Sequence, residues 1–332
     1  MKVLIYSKDY ELVNESGVGK AIDHQVKALS LAGCDFTLDE KDDFDLVHIN
    51  TTLPGSVRFA AKARKAGKKV VYHGHSTMED FKNSFIFSNK LAPLFKKWLV
   101  YAYKKGHLVL TPTEYSKNIL ETYGLDRPIR VVSNGIDLDF WKKAPKDREN
   151  FYKKYGLDRD KKSVISVGLP IKRKGIDDFV RLAGRMPDYE FVWFGKLDRA
   201  LMSPEIKKIL SKAPKNLHLP GYVSSDDLRQ AYSGSDLYAF LTHEETEGIV
   251  LLEALATRAQ VLIRDIEIFE SFTDGLDIYK GKNLDEFERK IRGILEGDLP
   301  DLSDEAYKRA EAKSIEKTGR KLVSIYEELM DL

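Results

Sequence analysis

The 332-residue chain reads as an α/β protein: two Rossmann-like domains facing each other across a cleft, with a helix closing the chain. Three observations predict this. Short apolar runs of strand type alternate with helical patterns along the whole sequence, the arrangement of parallel sheets. The length exceeds what one core holds, since single cores seldom grow past about 250–300 residues. A polar, proline-containing stretch near Trp141–Arg148 separates two such series and reads as a linker. The expected units are therefore 1–145, 146–303 and a terminal helix over 304–332.

Composition narrows the class. The chain is 42% hydrophobic and 32% charged, ordinary for a globular protein, and no apolar run approaches the roughly 18 residues of a membrane span. The opening MKVLIYSKDY reads as a first strand, because no small-residue cleavage site follows an apolar region. The single cysteine, Cys34, excludes an internal disulfide and a Cys-rich metal site, and it fits a reducing cytoplasm. Net charge is only +2 but unevenly spread. Residues 58–105 carry twelve Lys or Arg against Glu79 and Asp80, so the rest of the chain is net acidic by eight. Such asymmetry points to an anionic partner surface, nucleic acid or membrane.

Strand Lys2–Tyr6 is followed by a helix with Ile22, Val26 and Leu29 on one face, stopped by Gly33. Between them lies Ser16-Gly17-Val18-Gly19-Lys20, where glycines admit close approach of a ligand and the helix N-terminus favours an anion. It is not a Rossmann fingerprint, since Ile22 takes the third glycine's place. Nor is it a P-loop, since Asn14 and Ala21 replace the first glycine and the magnesium-binding hydroxyl; a plain tight turn is the competing reading. Strands follow at Leu46–Ile49, Lys69–His73, Leu108–Thr111 and Ile129–Ser133. His73-Gly74-His75-Ser76 closes one of them, and the C-terminal ends of parallel strands face the ligand cleft. Two histidines two residues apart suit a metal only with a third ligand, and none is apparent.

Asn89–Lys105 has Leu91, Leu94, Phe95, Trp98, Leu99 and Tyr101 interleaved with Lys90, Lys96, Lys97, Lys104 and Lys105. A basic, aromatic, amphipathic helix lies flat on an anionic bilayer, each lysine contributing about 1 kcal/mol. The plainer reading is a helix packed on the sheet with Leu94, Trp98 or Tyr101 partly buried. No RNA- or DNA-binding module is recognisable, so nucleic acid is not expected as a partner. Asp137-Leu138-Asp139 falls in a loop outside any metal-binding context and reads as structural.

The second series has strands at Ser163–Gly168, Glu190–Gly195, Asn216–Leu219, Asp236–Leu241 and Gln260–Ile263. Gly168–Gly175, GLPIKRKG, offers Arg173 and Lys174 to neutralise a diphosphate, the electrostatic work a divalent metal otherwise does. Phe240–Ala256, FLTHEETEGIVLLEALA, turns from strand into helix, leaving free backbone N–H groups after Gly248 and Ile249 for a phosphate. Carboxylates beside a phosphate repel it, so Glu245 and Glu253 need other targets, of which sugar and ribose hydroxyls are the obvious ones. A solvated acidic loop before a core helix is the alternative.

Glu245-x7-Glu253 within EGIVLLEALA resembles the signature of retaining glycosyltransferases of family 4, which have the GT-B fold. Lys174-Gly175, Ser133-Asn134-Gly135-Ile136-Asp137 and the segment Thr113–Lys117 are similar to family segments near the cleft, and the likeness covers nearly the whole chain. It implies that Glu245 lies by the donor sugar and Glu253 holds the nucleotide ribose. It also implies that Gly17 and Gly19 approach the donor diphosphate, that Tyr222 and Val223 cradle the base, and that His75 faces both sugars. Lys174, with Arg173, would stabilise the departing diphosphate. The acceptor hydroxyl is delivered on the face the leaving group departs from, without a carboxylate nucleophile. The terminal helix is implied to cross back onto the first domain, and no metal is expected. Five positions depart from the family pattern: Thr246-Glu247 stand for Gly-Phe, Arg258 and Gln260 for a Gly and a Pro, and Leu169 for an arginine that Arg173 replaces.

The run HGHSTMEDFKNSF resembles Gram-positive bacterial glycosyltransferases that add a second sugar to monoglycosyl diacylglycerol, making Asp80, Asn83 and Ser84 the expected acceptor contacts. The expected co-substrate is UDP-galactose or UDP-glucose, and the expected acceptor is a glycolipid at the anionic inner face of the membrane, where the cytoplasmic protein binds peripherally. Competing expectations are a soluble or wall-polymer acceptor, and a nucleotide-sugar-binding protein that has lost catalysis.

Overall fold

The computed structural model describes residues 1–8 and 10–331; of the segments read above, Asp9 in the opening run and Leu332 in the terminal helix lie outside them. Twelve strands form two parallel six-stranded sheets. The first contains β1 (Lys2–Tyr6), β2 (Asp35–Thr37), β3 (Leu46–Ile49), β4 (Lys69–His73), β5 (Leu108–Thr111) and β6 (Ile129–Val131), in the order β2-β1-β3-β4-β5-β6. The second contains β7 (Ser163–Val167), β8 (Glu190–Phe194), β9 (Leu217–Gly221), β10 (Leu237–Phe240), β11 (Val261–Arg264) and β12 (Tyr279–Gly281), in the order β12-β11-β10-β7-β8-β9. Register is unbroken through the first sheet's centre, Val3 opposite Leu46 and Leu46 opposite Lys69.

Most strands are continuous apolar runs because helices cover both faces. Along β10, Leu237 and Ala239 enter one core layer while Tyr238 and Phe240 enter the other, as the strand's two-residue period requires. The edge strands β2 (DFT) and β12 (YKG) are the two that sequence reading does not predict, being too short and polar for that signature.

Each sheet has a point where the strand order reverses, between β1 and β3 in the first and between β7 and β10 in the second. Ligands of open α/β sheets bind outside the carboxyl ends of the strands at such points. The loops leaving β1, β7 and β10 are the Ser16–Lys20, Gly168–Gly175 and Phe240–Gly248 segments, so topology gathers all three at the cleft.

Two expectations need correction. Trp141 is no linker residue: it is buried in the C-terminal core, its ring centroid 5.8 Å from that of Tyr232, although it lies in the stretch without helix or strand that joins β6 to helix Asp147–Tyr155. The terminal segment is not one helix but two, Ser303–Glu311 and Ile315–Met330. Ala306 and Ala310 of the former pack into the second half, whereas Leu322, Ile325, Tyr326 and Leu329 of the latter complete a core layer of the first. The chain crosses between them beside Ile136, whose N–H donates to Lys313 O at 3.0 Å and whose carbonyl accepts from Ile315 N at 2.9 Å.

Helix Ile315–Met330 sits so close to helix Gly17–Leu31 that a Cβ on Gly319 would stand 2.2 Å from Ala28 O. Gly319→Ala is therefore expected to destabilise the protein by about 1–3 kcal/mol through overpacking, despite a helix propensity better by about 1 kcal/mol. Thermal denaturation should show Tm falling by roughly 2–4 °C per kcal/mol lost. An unchanged or higher Tm would mean the helices separate without cost.

Candidate active site

At the second sheet's reversal point, two loops are sewn together. The His243 N–H and the Thr242 hydroxyl both donate to Arg173 O, at 2.7 and 3.2 Å, and Arg173 Nη1 donates to Glu244 O at 2.9 Å. Gly175 has φ 79° and lies where a Cβ would meet Leu241 O at 2.3 Å, so only glycine lets the loops close. This seam holds the Lys174 ammonium on Glu245 Oε1 in a buried ion pair, with Arg173 Nη1 4.0 Å from Glu245 Oε2. Burial pulls the Lys174 pKa down and Glu245 pushes it back. Arg173 is thus a second cation beside Lys174 in this seam.

Helix Ile249–Ala256 starts at Gly248, φ 84°, whose Cβ would press on the Phe240 ring at 3.0 Å. No side chain caps it, so its first amides keep their donor capacity. Glu253, one turn from its end, is 0% exposed; Lys20 Nζ donates to its Oε1 at 2.6 Å and Tyr232 OH to its Oε2 at 3.1 Å. Tyr222, half exposed, and Val223 lie in the turn after β9, which Ser224 closes by capping the next helix.

The two predicted loop glycines differ. Gly17 has nothing within 4 Å of a Cβ position, whereas a Cβ on Gly19 would strike Val13 O at 2.4 Å and Asn14 Cα at 2.6 Å. Gly19 is required by its own loop. Ser16 Oγ accepts from the amides of Val18 and Gly19 at 3.2 and 3.4 Å, so those donors are partly occupied.

Contacts from the first half close over the acidic loop. Tyr115 OH bonds both carboxylate oxygens of Glu244 at 2.9 Å, and burial raises that carboxyl's pKa to about 7. Thr113 Oγ1 donates to Thr246 O at 2.8 Å, and Thr246 Oγ1 to His75 O at 3.3 Å. Glu247 accepts from Ser133 Oγ at 2.6 Å, from Asn134 N at 2.9 Å and Nδ2 at 2.8 Å, and from Lys313 Nζ at 3.2 Å. The departure Thr246-Glu247 is thus where this chain ties its loop across the cleft. Neither Thr113, Tyr115 nor Glu247 was legible as a contact, since each depends on a partner more than a hundred residues away.

The acceptor candidates clasp Arg173. Asp80 Oδ1 lies 2.7 Å from its Nη1, Ser84 Oγ accepts from Nε at 2.9 Å, and Asn83 O accepts from Arg173 N at 3.3 Å, while the Asn83 side chain pairs with Asn89. Burial raises the Asp80 pKa, and Arg173 opposes that shift.

His75 is buried at the mouth of β4 and stacks on His73, centroids 4.1 Å apart, which stacks on His48 at 5.3 Å. His75 Nε2 donates to Asn50 Oδ1 at 2.8 Å; Asn50 Nδ2 is already committed as a donor to Gln25 Oε1 at 2.8 Å. The Nδ1 of neutral His75 is therefore its acceptor. Gln25 and Asn50 carry no sequence signal for this role, although Asn50 directly follows β3, where cleft residues belong. Burial lowers the pKa of His75 and His48 to about 3, and that of His73 well below the ordinary 6.5.

Of the basic helix, observed over Ser88–Tyr103, Leu99, Ala102 and Tyr103 are buried and Trp98 Nε1 donates to Thr52 O at 2.8 Å. Lys104 pairs with Asp126 at 2.9 Å, Lys96 lies 4.3 Å over Tyr123 and Lys105 4.1 Å over Tyr101. Lys90 and Lys97 point outward beside Leu91 and Leu94, 50% and 66% exposed, and Phe87, 67% exposed. The outward apolar cluster therefore centres on residues 85–94, one or two turns before Trp98. Among the described residues no helix is long and apolar enough to cross a membrane.

Asp137 of Asp-x-Asp caps its own loop, Oδ1 accepting from the amides of Asp139 and Phe140 at 3.2 Å, and pairs with Lys27. Asp177, Asp178 and His243 bring possible metal-ligand atoms within 4.8 Å of one another, but Arg264 Nη2, 2.5 Å from Asp178, already supplies positive charge there.

A family model described as Glycosyltransferase Family 4 matches residues 23–140, and one described as Glycosyl transferases group 1 matches 147–314. A processive diacylglycerol alpha-glucosyltransferase of Acholeplasma laidlawii is 39% identical over all of this chain and 99% of its own length. An alpha-galactosylglucosyldiacylglycerol synthase of Streptococcus pneumoniae is 26% identical over 80% of this chain and 73% of its own. Among solved structures, HepE of Anabaena in complex with UDP-glucose superposes with TM-score 0.76 at 15% identity, over 99% of this chain and 100% of that one. Sucrose-phosphate synthase of Thermosynechococcus elongatus gives 0.74 at 16%, over 98% and 80%. These likenesses show the two-domain GT-B fold.

The folded chain keeps His48, His73 and His75 neutral while the unfolded chain protonates them near pH 6.5, so their contribution is complete above that pH and is lost as pH falls toward about 3. Each should add up to about 1.4 kcal/mol per pH unit to the slope of stability between pH 6 and 5. Urea denaturation at pH 7, 6 and 5 checks this. His73→Asn should flatten the slope by one histidine's share, and an unaltered slope would contradict the neutral stack.

Proposed function

The chain belongs to glycosyltransferase family 4, and from that premise we propose that it transfers glucose or galactose from a UDP-sugar to a diacylglycerol glycolipid. Monoglucosyl diacylglycerol is the proposed acceptor and a diglycosyl diacylglycerol the product. The observation that carries this is the full-length 39% identity to a diacylglycerol glucosyltransferase, whose name favours glucose as donor sugar. The S. pneumoniae relative, whose name carries galactose, keeps UDP-galactose in view at lower identity.

In this reading the second half holds the donor. The helix start at Gly248 and Ile249, with Lys174 and Arg173, faces the diphosphate, where preorganised charge acts most strongly on the departing group. Glu253 binds the ribose, and Tyr222 and Val223 flank the base. Glu245 and the Nδ1 of His75 accept hydrogen bonds from sugar hydroxyls, and Gly17 allows close approach from the opposite wall. The bond from the anomeric carbon to the β-phosphate oxygen breaks and the bond to the acceptor oxygen forms on the same face. The acceptor's proton passes to the departing phosphate, and configuration is retained without an enzyme nucleophile. Asp80, Asn83 and Ser84 sit where the acceptor sugar enters.

The acceptor's lipid requires a protein that meets the bilayer. Phe85, Ile86, Phe87, Leu91 and Leu94 form an exposed apolar cluster, with Lys90 and Lys97 beside it. That chemistry suits insertion into the boundary layer of an anionic membrane, with peripheral attachment at the cytoplasmic face. Lys96, Lys104, Lys105 and Trp98 support that face from behind.

The test is transfer from labelled UDP-glucose and UDP-galactose to glucosyl-diacylglycerol in anionic vesicles, with plain diacylglycerol as control. Labelled diglycosyl lipid from one donor is expected. Tight UDP binding without lipid product would overturn the acceptor and favour a soluble acceptor or a binding protein. Glu253→Ala should chiefly raise the donor KM and Lys174→Ala chiefly lower kcat; equal small effects would reassign both residues. Separately, the triple substitution Phe87→Ser, Leu91→Ser, Leu94→Ser should weaken vesicle binding by at least about 100-fold, since each large side chain buried adds about 1.5–3 kcal/mol. UDP affinity should be unchanged; undiminished flotation with vesicles would place the membrane face elsewhere.

A further inference from the structure

Lys20 follows the glycine loop of the first half, yet its ammonium lies in the second. Nζ is 2.6 Å from Oε1 of Glu253, a carboxylate with no exposure, and 5.8 Å from the centroid of the Trp141 ring. Among the described residues, Glu253's other oxygen accepts from the Tyr232 hydroxyl alone, at 3.1 Å. A buried carboxylate deprived of its cation is costly, so this pair ties the loop to the helix that carries Glu253. A purely structural partner would serve as well from Glu253's own half. Instead it comes from the loop whose neighbour Gly17 is open to close approach, and the lysine side chain keeps 23% of its surface exposed, so it has room to swing.

We propose that Lys20 is a ligand of the donor's diphosphate, held on Glu253 when no donor is bound. The inference rests on the reading of Glu253 as the ribose site. Ribose hydroxyls arriving at Glu253 supply two donors to its oxygens and displace the ammonium. The released Lys20, on a flexible four-carbon stem, turns to the negative diphosphate beside the glycine loop. Charge pairing is conserved: the carboxylate exchanges a cation for hydroxyl donors, and the cation exchanges a carboxylate for phosphate oxygens. Nucleoside and diphosphate are then recognised as a unit. Uridine alone breaks the ion pair and leaves Lys20 without a new partner, whereas UDP provides one. Lys20 is thus a specificity-determining residue that closes the first half onto a complete nucleotide.

Calorimetric titration of uridine and of UDP into the wild type, Lys20→Met and Lys20→Arg tests this. In Lys20→Met, UDP affinity should fall by about 10- to 100-fold, the range of a lost charge-assisted hydrogen bond. Uridine affinity should hold or rise, because no ion pair has to be broken. Lys20→Arg should keep most of the UDP affinity. Equal losses for uridine and UDP would make Lys20 a structural tie and overturn the inference while leaving the donor reading intact. A wild type that binds no UDP overturns the donor reading itself. If Lys20→Met does not fold, Lys20→Gln, shorter and uncharged but still a hydrogen-bond donor, carries the same comparison.

Discussion

Glu247 has almost no water, and three separate segments must meet to keep its charge. Its side chain is 1% exposed, and its oxygens are met by Ser133 and Asn134 at the end of the first sheet and by Lys313 at the crossing of the terminal segment. An uncompensated buried carboxylate costs several kcal/mol, so the acidic loop, the Asn-Gly-Ile-Asp segment and the crossing chain hold position together or not at all. Everything else in the cleft hangs from that knot. It aims Thr246 at His75 O and Thr113, brings Glu244 to Tyr115, and precedes Gly248, where helix Ile249–Ala256 starts without a side-chain cap.

Much of this arrangement can be read from residue order. Parallel strands announce themselves as buried β-branched and aromatic runs, and topology then puts their following loops at one edge, which is why Gly168–Gly175 and Phe240–Gly248 are identifiable from residue order alone. What stays hidden is pairing across distance. Lys20 and Glu253 are 233 positions apart, and nothing local in Ser-Gly-Val-Gly-Lys says where the lysine's charge goes. The same holds for Arg173, whose chemistry was visible but whose clasp by Asp80 and Ser84 was not. Gly19 adds a second reason for its residue type. Its glycine invites a ligand in sequence, and its neighbours show a loop folding onto itself.

Departures from a family pattern become intelligible through backbone and charge. Arg258 stands where glycine is common and adopts φ 57°, a conformation that costs an L-residue about 1–2 kcal/mol. Its guanidinium pairs with Asp304 and stacks 3.9 Å over Tyr307, so the strained turn fastens helix Ser303–Glu311 to the second half just before the chain crosses over. Thr246-Glu247 in place of Gly-Phe exchanges an apolar contact for polar ties across the cleft. Glu247 and Arg258 each add a charge, and each is met by an opposite charge from the terminal segment, Lys313 for the first and Asp304 for the second.

One stretch joins the membrane question to the chemistry. Between His75 and Trp98 the chain passes from the cleft, where Asp80 and Ser84 grip the Arg173 guanidinium, to the outward cluster of Phe87, Leu91 and Leu94 within about a dozen residues. Asn83, at φ 56°, makes the turn between the two and bonds Asn89 of the basic helix on one side while offering its carbonyl to Arg173 on the other. In the proposed reading a lipid-bound acceptor entering along this stretch competes for Asp80 and Ser84, and the guanidinium it frees is the one proposed to meet the diphosphate. Acceptor arrival and leaving-group stabilisation then share a single cation. That coupling is economical for a glycosyltransferase, because a donor bound without acceptor meets an Arg173 still held by the first half, and its diphosphate lacks one of the charges that make departure easy.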